Sequence, residues 1–114
     1  MIPFTIDVGA SDNGTKIARL SGRLNAASAP EAKDKLKALV RETSGNLLLD
    51  LGELSFIDSS GLAALVSAYK AAAESGGTLK LACLLPQVAQ VFSLTKLDSV
   101  FETYADVDKA LDSF

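Results

Sequence analysis

Apolar side chains alternate with polar or small ones at Phe4, Ile6 and Val8, the period-two pattern of a half-buried strand. Ile17 to Leu20 supply its neighbour after the turn Ser11-Asp-Asn-Gly14, where Asn13-Gly14 is a strong hairpin signal because both residue types tolerate positive φ. Beyond Ser21-Gly-Arg-Leu-Asn25 the period lengthens. Ala32, Leu36, Leu39 and Val40 define one helical face, Ser28 and Glu31 have the spacing of a capping box, Pro30 fits the first turn, and Ser44-Gly-Asn46 forms the stop. Leu47-Leu-Leu-Asp-Leu51 is a continuous apolar run suited to a buried strand, and Gly52 to Phe56 leads from it into a second helix. That helix shares one face among Leu62, Leu65, Val66 and Tyr69 and runs to about Glu74, where Gly76-Gly77 ends it. Thr78 to Leu84 reads as another buried strand, and Pro86 opens a helix with Val88, Val91 and Phe92 on one side. Asp98 to Tyr104 holds a short edge strand, and Asp106 caps a final helix whose inward face is Val107, Ala110, Leu111 and Phe114.

Two strands followed by strands alternating with helices predict an α/β fold. The sheet is expected to be mixed and mostly parallel, antiparallel only at the N-terminal hairpin, with about four helices mainly on one face. Right-handed crossovers lay successive strands side by side, so the start of the helix after Phe56 is expected to be exposed at an edge or end of the sheet. At 114 residues, with no repeat or linker, the chain reads as one domain spanning 1–114.

Composition narrows the function. Hydrophobic residues at 48% and charged ones at 22% belong to a soluble globular domain, and aromatics at 6% leave aliphatic side chains to fill its interior. A net charge of −3 without clustered Lys and Arg argues against direct nucleic-acid binding; Lys33, Lys35 and Lys37 alternate with Glu31 and Asp34 as a solvated helix face. The N-terminus lacks a signal-peptide pattern, and no stretch reaches the roughly 18 apolar residues of a membrane span, so the expectation is a cytoplasmic protein without membrane insertion. Cys83, the single cysteine, excludes an internal disulfide and reads as an inert thiol in a buried strand. With no histidine there is no Ser-His pair and no imidazole metal ligand. No Gly-rich phosphate loop ends in Gly-Lys-Ser/Thr, and Asp50, Glu53 and Asp58 are scattered carboxylates better read as solvated than as a metal site. The chain is expected to be no enzyme and to need no cofactor.

The informative stretch is Leu54-Ser-Phe-Ile-Asp-Ser-Ser-Gly-Leu62, which places adjacent hydroxyls where an apolar strand gives way to an amphipathic helix. Asp58, Ser59 and Ser60 lie at or near the helix N-terminus, where backbone N–H groups lack intrahelical partners and the helix dipole favours negative charge. Any of the three can serve as an N-cap, and a hydroxyl there can equally carry a phosphate. Gly61 permits close approach, and Leu62, Leu65 and Val66 read as core.

Gly22-Arg-Leu-Asn25, Leu49-Asp-Leu-Gly-Glu-Leu-Ser-Phe-Ile-Asp-Ser-Ser-Gly-Leu62 and Gly76-Gly-Thr-Leu-Lys-Leu81 together resemble the anti-sigma-factor antagonists of the STAS-domain family, over almost the full chain. The resemblance implies a STAS fold and a binding module that is itself a substrate. A partner acting as both anti-sigma factor and serine kinase phosphorylates the first hydroxyl after the motif aspartate, here Ser59. The unphosphorylated form binds that partner and frees a sigma factor, and a serine/threonine phosphatase resets the cycle. Asp58, Ser60, Gly61, Arg23 and Asn25 are the implied partner-recognition residues. Family members commonly carry Gly-Glu-Leu-Asp where this chain has Gly22-Arg-Leu-Asn25, which exchanges two acids for a base and an amide. The alternative is a constitutive STAS interaction subunit of a lipid transporter or signalling scaffold, docking through the same helix without phosphorylation.

Overall fold

A computed structural model describes residues 3–11, 14–43 and 45–114, and in it the apolar run beginning at Leu47 becomes the middle strand of a five-stranded sheet. The strand order is β1-β2-β3-β4-β5, with β1 (Thr5–Ala10), β2 (Lys16–Leu24), β3 (Leu47–Ile57), β4 (Leu79–Ala82) and β5 (Thr103–Tyr104). Only β1 and β2 are antiparallel; the other pairings are parallel. The expected turn between β1 and β2 includes Asp12 and Asn13, and the expected stop after the first helix includes Ser44; these residues lie outside the described ones.

Four α-helices occur among the described residues: α1 (Ala29–Glu42), α2 (Ser59–Glu74), α3 (Pro86–Leu94) and α4 (Val107–Asp112). Side chains of α1, α2 and α3 join Leu47, Leu49, Leu51, Leu79 and Leu81 in the main core on one face of the sheet. On the other face the six-residue α4 covers a smaller cluster built on Leu48, Ala82 and Ala110. This is the mixed α/β arrangement the sequence predicts, with helices mainly on one side. Leucine dominates the interior, each fully buried side chain contributing about 1.5–3 kcal/mol.

Strand β3 runs further than expected, through Gly52 to Ile57. Its pairing with β2 slips by one residue between Arg19 and Ser21 and again between Gly22 and Arg23. A one-residue slip turns every later side chain to the opposite face. Leu47, Leu49 and Leu51 therefore point into the main core at odd positions, Leu54 at an even one, and Ile57 at an odd one again. Simple alternation fails across these bulges, which is why the segment looked like a connector.

Other expectations shift in detail. In β1 only Ile6 is buried and Val8 is exposed, while Phe4, just before the strand, is half-buried. The capping box at α1 does not form: Ser28 is already in a helical conformation and makes no side-chain cap bond. Asn25 takes that role three residues earlier, its Oδ1 accepting from the amides of Ala27 (3.0 Å) and Ser28 (3.3 Å). Strand β4 stops at Ala82, so Cys83 is a half-buried residue with φ +65° just beyond it. Its thiol is pushed above the ordinary value by burial, with the neighbouring Asp50 carboxylate adding to the effect. Asp50 itself is buried rather than solvated, paired with Arg19 at 3.2 Å and accepting from Gly52 N. The expected stop of α2 is realised: Gly76, at φ +83°, donates to Ala73 O, and Gly77 donates to Ala72 O. Asp106 caps α4 through a 2.8 Å bond from Lys109 N, and Ala110 is the buried residue of that helix.

Lys80, in β4, faces the α4 side and is buried. Its ammonium donates to Ser113 O and Oγ at 2.8 and 2.9 Å and lies 3.0 Å from Glu102 Oε2. The Phe114 ring centroid is 4.9 Å away, so one cation holds the end of the chain against the sheet.

Candidate functional site

At the carboxyl end of the parallel strands the chain leaves β3 and enters α2 without a loop, because Asp58 serves both elements. Its backbone is extended, its N–H donates to Leu24 O (3.2 Å), its Oδ1 accepts from Gly61 N (3.0 Å), and its carbonyl receives the first helical bond from Leu62. Ser59 is thereby the first residue of α2 and is exposed, at an end of the sheet as expected. The amides of Ser59 and Ser60 have no intrahelical acceptor, since the first turn of a helix leaves such donors unused. Ser60 is half-buried and lines a shallow groove of about 390 Å³ between α1 and α2, opposite Ala29, Pro30 and Lys33.

Gly61 is buried against its own domain. A Cβ there would stand 2.7 Å from Leu24 O, 2.8 Å from Leu24 Cγ and 2.8 Å from Ile57 Cγ1. The absent side chain lets α2 seat directly on the end of β2, which fixes where Ser59 emerges.

Arg23 and Asn25 come to the same place. In the β2–β3 register Arg23 lies opposite Phe56 and Leu24 opposite Ile57. The Arg23 guanidinium sits over the Phe56 ring at 4.0 Å from its centroid. Asn25 shapes the turn into α1, where Ser28 Oγ accepts from Asn25 N (3.0 Å) and donates to Arg23 O (2.8 Å). All six residues singled out from sequence therefore gather at one end of the sheet: Arg23, Asn25, Asp58, Ser59, Ser60 and Gly61.

Three further participants take roles that their motifs alone do not specify. Phe56 reads from sequence as part of a connector, and its role as the platform under Arg23 follows from the bulged register. Leu24 contributes its carbonyl, which accepts from Asp58 N, and its side chain, which packs against Gly61. Gly22 has φ +94°, and a Cβ there would approach Pro3 O to 2.9 Å; its neighbour Arg23 gave no hint of that constraint. Among the described residues no group of three or more His, Cys, Asp or Glu side chains is placed to hold a metal ion, and no helix is long and apolar enough to cross a membrane.

A serine on an exposed helix start, above a mixed sheet with its helices mainly on one side, is the arrangement of a known class of regulatory domain. Residues 10–110 match the family model for the STAS domain, and the chain belongs to the STAS-domain family. It is 30% identical over 102 residues to the anti-sigma-B factor antagonist of Bacillus subtilis, covering 90% of this chain and 92% of that one. It is 32% identical over 102 residues to the putative anti-sigma factor antagonist BtrV of Bordetella bronchiseptica, covering 90% and 88% of the two. A crystal structure of an anti-sigma factor antagonist from Mycobacterium paratuberculosis superposes with a TM-score of 0.86 at 27% identity, covering 97% of this chain and 93% of the other. At the level of the family the chain is a non-catalytic regulatory domain of the partner-switching, anti-sigma-factor-antagonist type.

Proposed function

We propose that this domain is an anti-sigma-factor antagonist whose docking is switched by phosphorylation of Ser59. In the unphosphorylated state it binds an anti-sigma factor that is also a serine kinase, and so releases a sigma factor or an equivalent output. Phosphorylation by that kinase ends the complex, and a serine/threonine phosphatase restores it. The observation that carries this reading is the exposed hydroxyl of Ser59 at the first position of α2, held in place by the Asp58 cap and the packing of Gly61 on Leu24.

Energetics support a switch that leaves the fold intact. In the free domain a phosphate on Ser59 meets unused helix amides, the favourable end of the helix dipole and water. At a docked interface the same dianion loses water while the Asp58 carboxylate remains beside it. For charges of −2 and −1 at about 6 Å, lowering the effective dielectric from about 80 to about 20 raises their repulsion by about 4 kcal/mol. A loss of that size weakens binding by a hundredfold or more.

Incubation with the cognate kinase and ATP should add one phosphate, measured by intact mass, and Ser59→Ala should add none. Ser59→Asp should unfold like the wild type yet bind the kinase about a hundredfold more weakly by calorimetry. Full phosphorylation of Ser59→Ala would remove the acceptor assignment, and equal affinities of Ser59→Asp and wild type would remove the switch.

A further inference from the structure

We infer that Arg23 makes the Ser59 end of the domain selective for a partner that presents a carboxylate there. The inference rests on the docking role proposed above and names the chemistry of the partner's contact surface.

Arg23 is exposed, and its guanidinium lies over the Phe56 ring at 4.0 Å from the centroid. Among the described residues the ion pairs are those of Arg19 with Asp50, Lys80 with Glu102 and Lys109 with Asp106, so Arg23 has no carboxylate within 4.0 Å. The ring lies against the guanidinium, and because Arg23 is exposed its N–H donors are within reach of a partner. A guanidinium in that state is matched to a bidentate carboxylate.

Its position is fixed and close to the serine. Its backbone is held: Ser28 Oγ donates to Arg23 O, Ser55 Oγ donates to Gly22 O at 3.0 Å, and Pro3 O lies 2.9 Å from where a Cβ of Gly22 would stand. Arg23 pairs in register with Phe56, three residues before Ser59. With strands about 4.8 Å apart and about 3.3 Å of rise per residue, the two Cα atoms are about 11 Å apart, well inside one protein–protein footprint. A cation already held on its platform loses little freedom when it is paired, so the contact favours a matching partner and penalises a basic one. A recess of about 340 Å³ beside it is lined by Phe4, Arg23, Asn25, Ser28 and Glu31. Glu31 shares that recess, so reversing Arg23 would leave it doubly negative and hostile to the same carboxylate.

The test uses the kinase that phosphorylates Ser59, titrated calorimetrically with the unphosphorylated full chain at low and moderate salt. Arg23→Glu should weaken binding at least thirtyfold, Arg23→Lys less than tenfold, and Phe56→Leu should fall between them. The wild-type affinity should fall with salt more steeply than that of Arg23→Glu. A kinase variant with the acidic residues of its contact surface changed to Lys should prefer Arg23→Glu to the wild type. Urea midpoints of the variants near that of the wild type establish that they are folded. Binding of Arg23→Glu within threefold of wild type, while Ser59→Asp still loses its hundredfold, would overturn the inference and leave the switch standing. Loss in Arg23→Glu with Ser59→Asp binding like wild type would keep the inference and remove the switch.

Discussion

Replacing Gly61 by Ala tests how the site is built, because the added methyl has nowhere to go. Three atoms of the domain stand 2.7 to 2.8 Å from the new Cβ, and one of them is the Leu24 carbonyl oxygen, which cannot rotate away. Relief requires α2 to lift from β2 by about 0.6 Å or more, which strains the Asp58 N to Leu24 O bond. Overpacking of this kind costs about 1–3 kcal/mol, and the better helix propensity of Ala returns less than about 1 kcal/mol in a first turn. The net expectation is a loss of about 2 kcal/mol. With a urea m-value of about 1.5 kcal/mol/M the unfolding midpoint falls by about 1.3 M. Gly9→Ala is the internal control: no atom lies within 4 Å of its Cβ, and its midpoint should change by less than a quarter of that amount. If Gly61→Ala and Gly9→Ala unfold together, α2 is not seated on β2 through Gly61, and that contact does not fix where Ser59 emerges.

Asp58→Ala should cost about 1 kcal/mol by freeing the Gly61 amide, read as a lower urea midpoint; an unchanged midpoint would show that the cap is not formed in solution. Glu102 is held below its ordinary value by the hydrogen bond from Lys80 and then by that from the Tyr104 hydroxyl. A depressed carboxylate adds stability above its unfolded value, near pH 4.3, and loses it as the pH falls through the lower folded value. The small advantage of wild type over Glu102→Gln at pH 7 should therefore shrink between about pH 5 and pH 3, and a gap independent of pH would refute the pairing.

Much of the fold was legible because local signals and burial agree. Asp58 and Asp106 combine cap chemistry with apolar faces that begin within the following turn, at Leu62 and Val107, and the Gly76-Gly77 pair supplies the left-handed stop that α2 uses. Where competing partners decide, sequence misled. Ser28 and Glu31 have capping-box spacing, yet Asn25 captures the turn first and the Ser28 hydroxyl is drawn back to Arg23 O. Asp50 looked like a surface acid until the sheet placed Arg19 beside it, and no property of Lys80 alone announces a buried ammonium. Asp58, Ser59, Ser60 and Gly61 are legible at the strand-to-helix junction and Arg23 and Asn25 through the family resemblance, but the meeting of all six depends on the slipped pairing of β2 with β3, a property of two strands and not of either one.

That slipped pairing has a further consequence for how this protein tolerates change. Between Leu51 and Ile57 the chain makes two inversions of facing, and together they cancel. Removing or adding a single amino acid there would undo one of them, send Ile57 outward and rotate the serine-bearing helix start by half a turn. The segment thus works as a ruler of fixed length: its letters can vary, but its count cannot drift by one without aiming the Ser59 hydroxyl at the wrong side of the molecule.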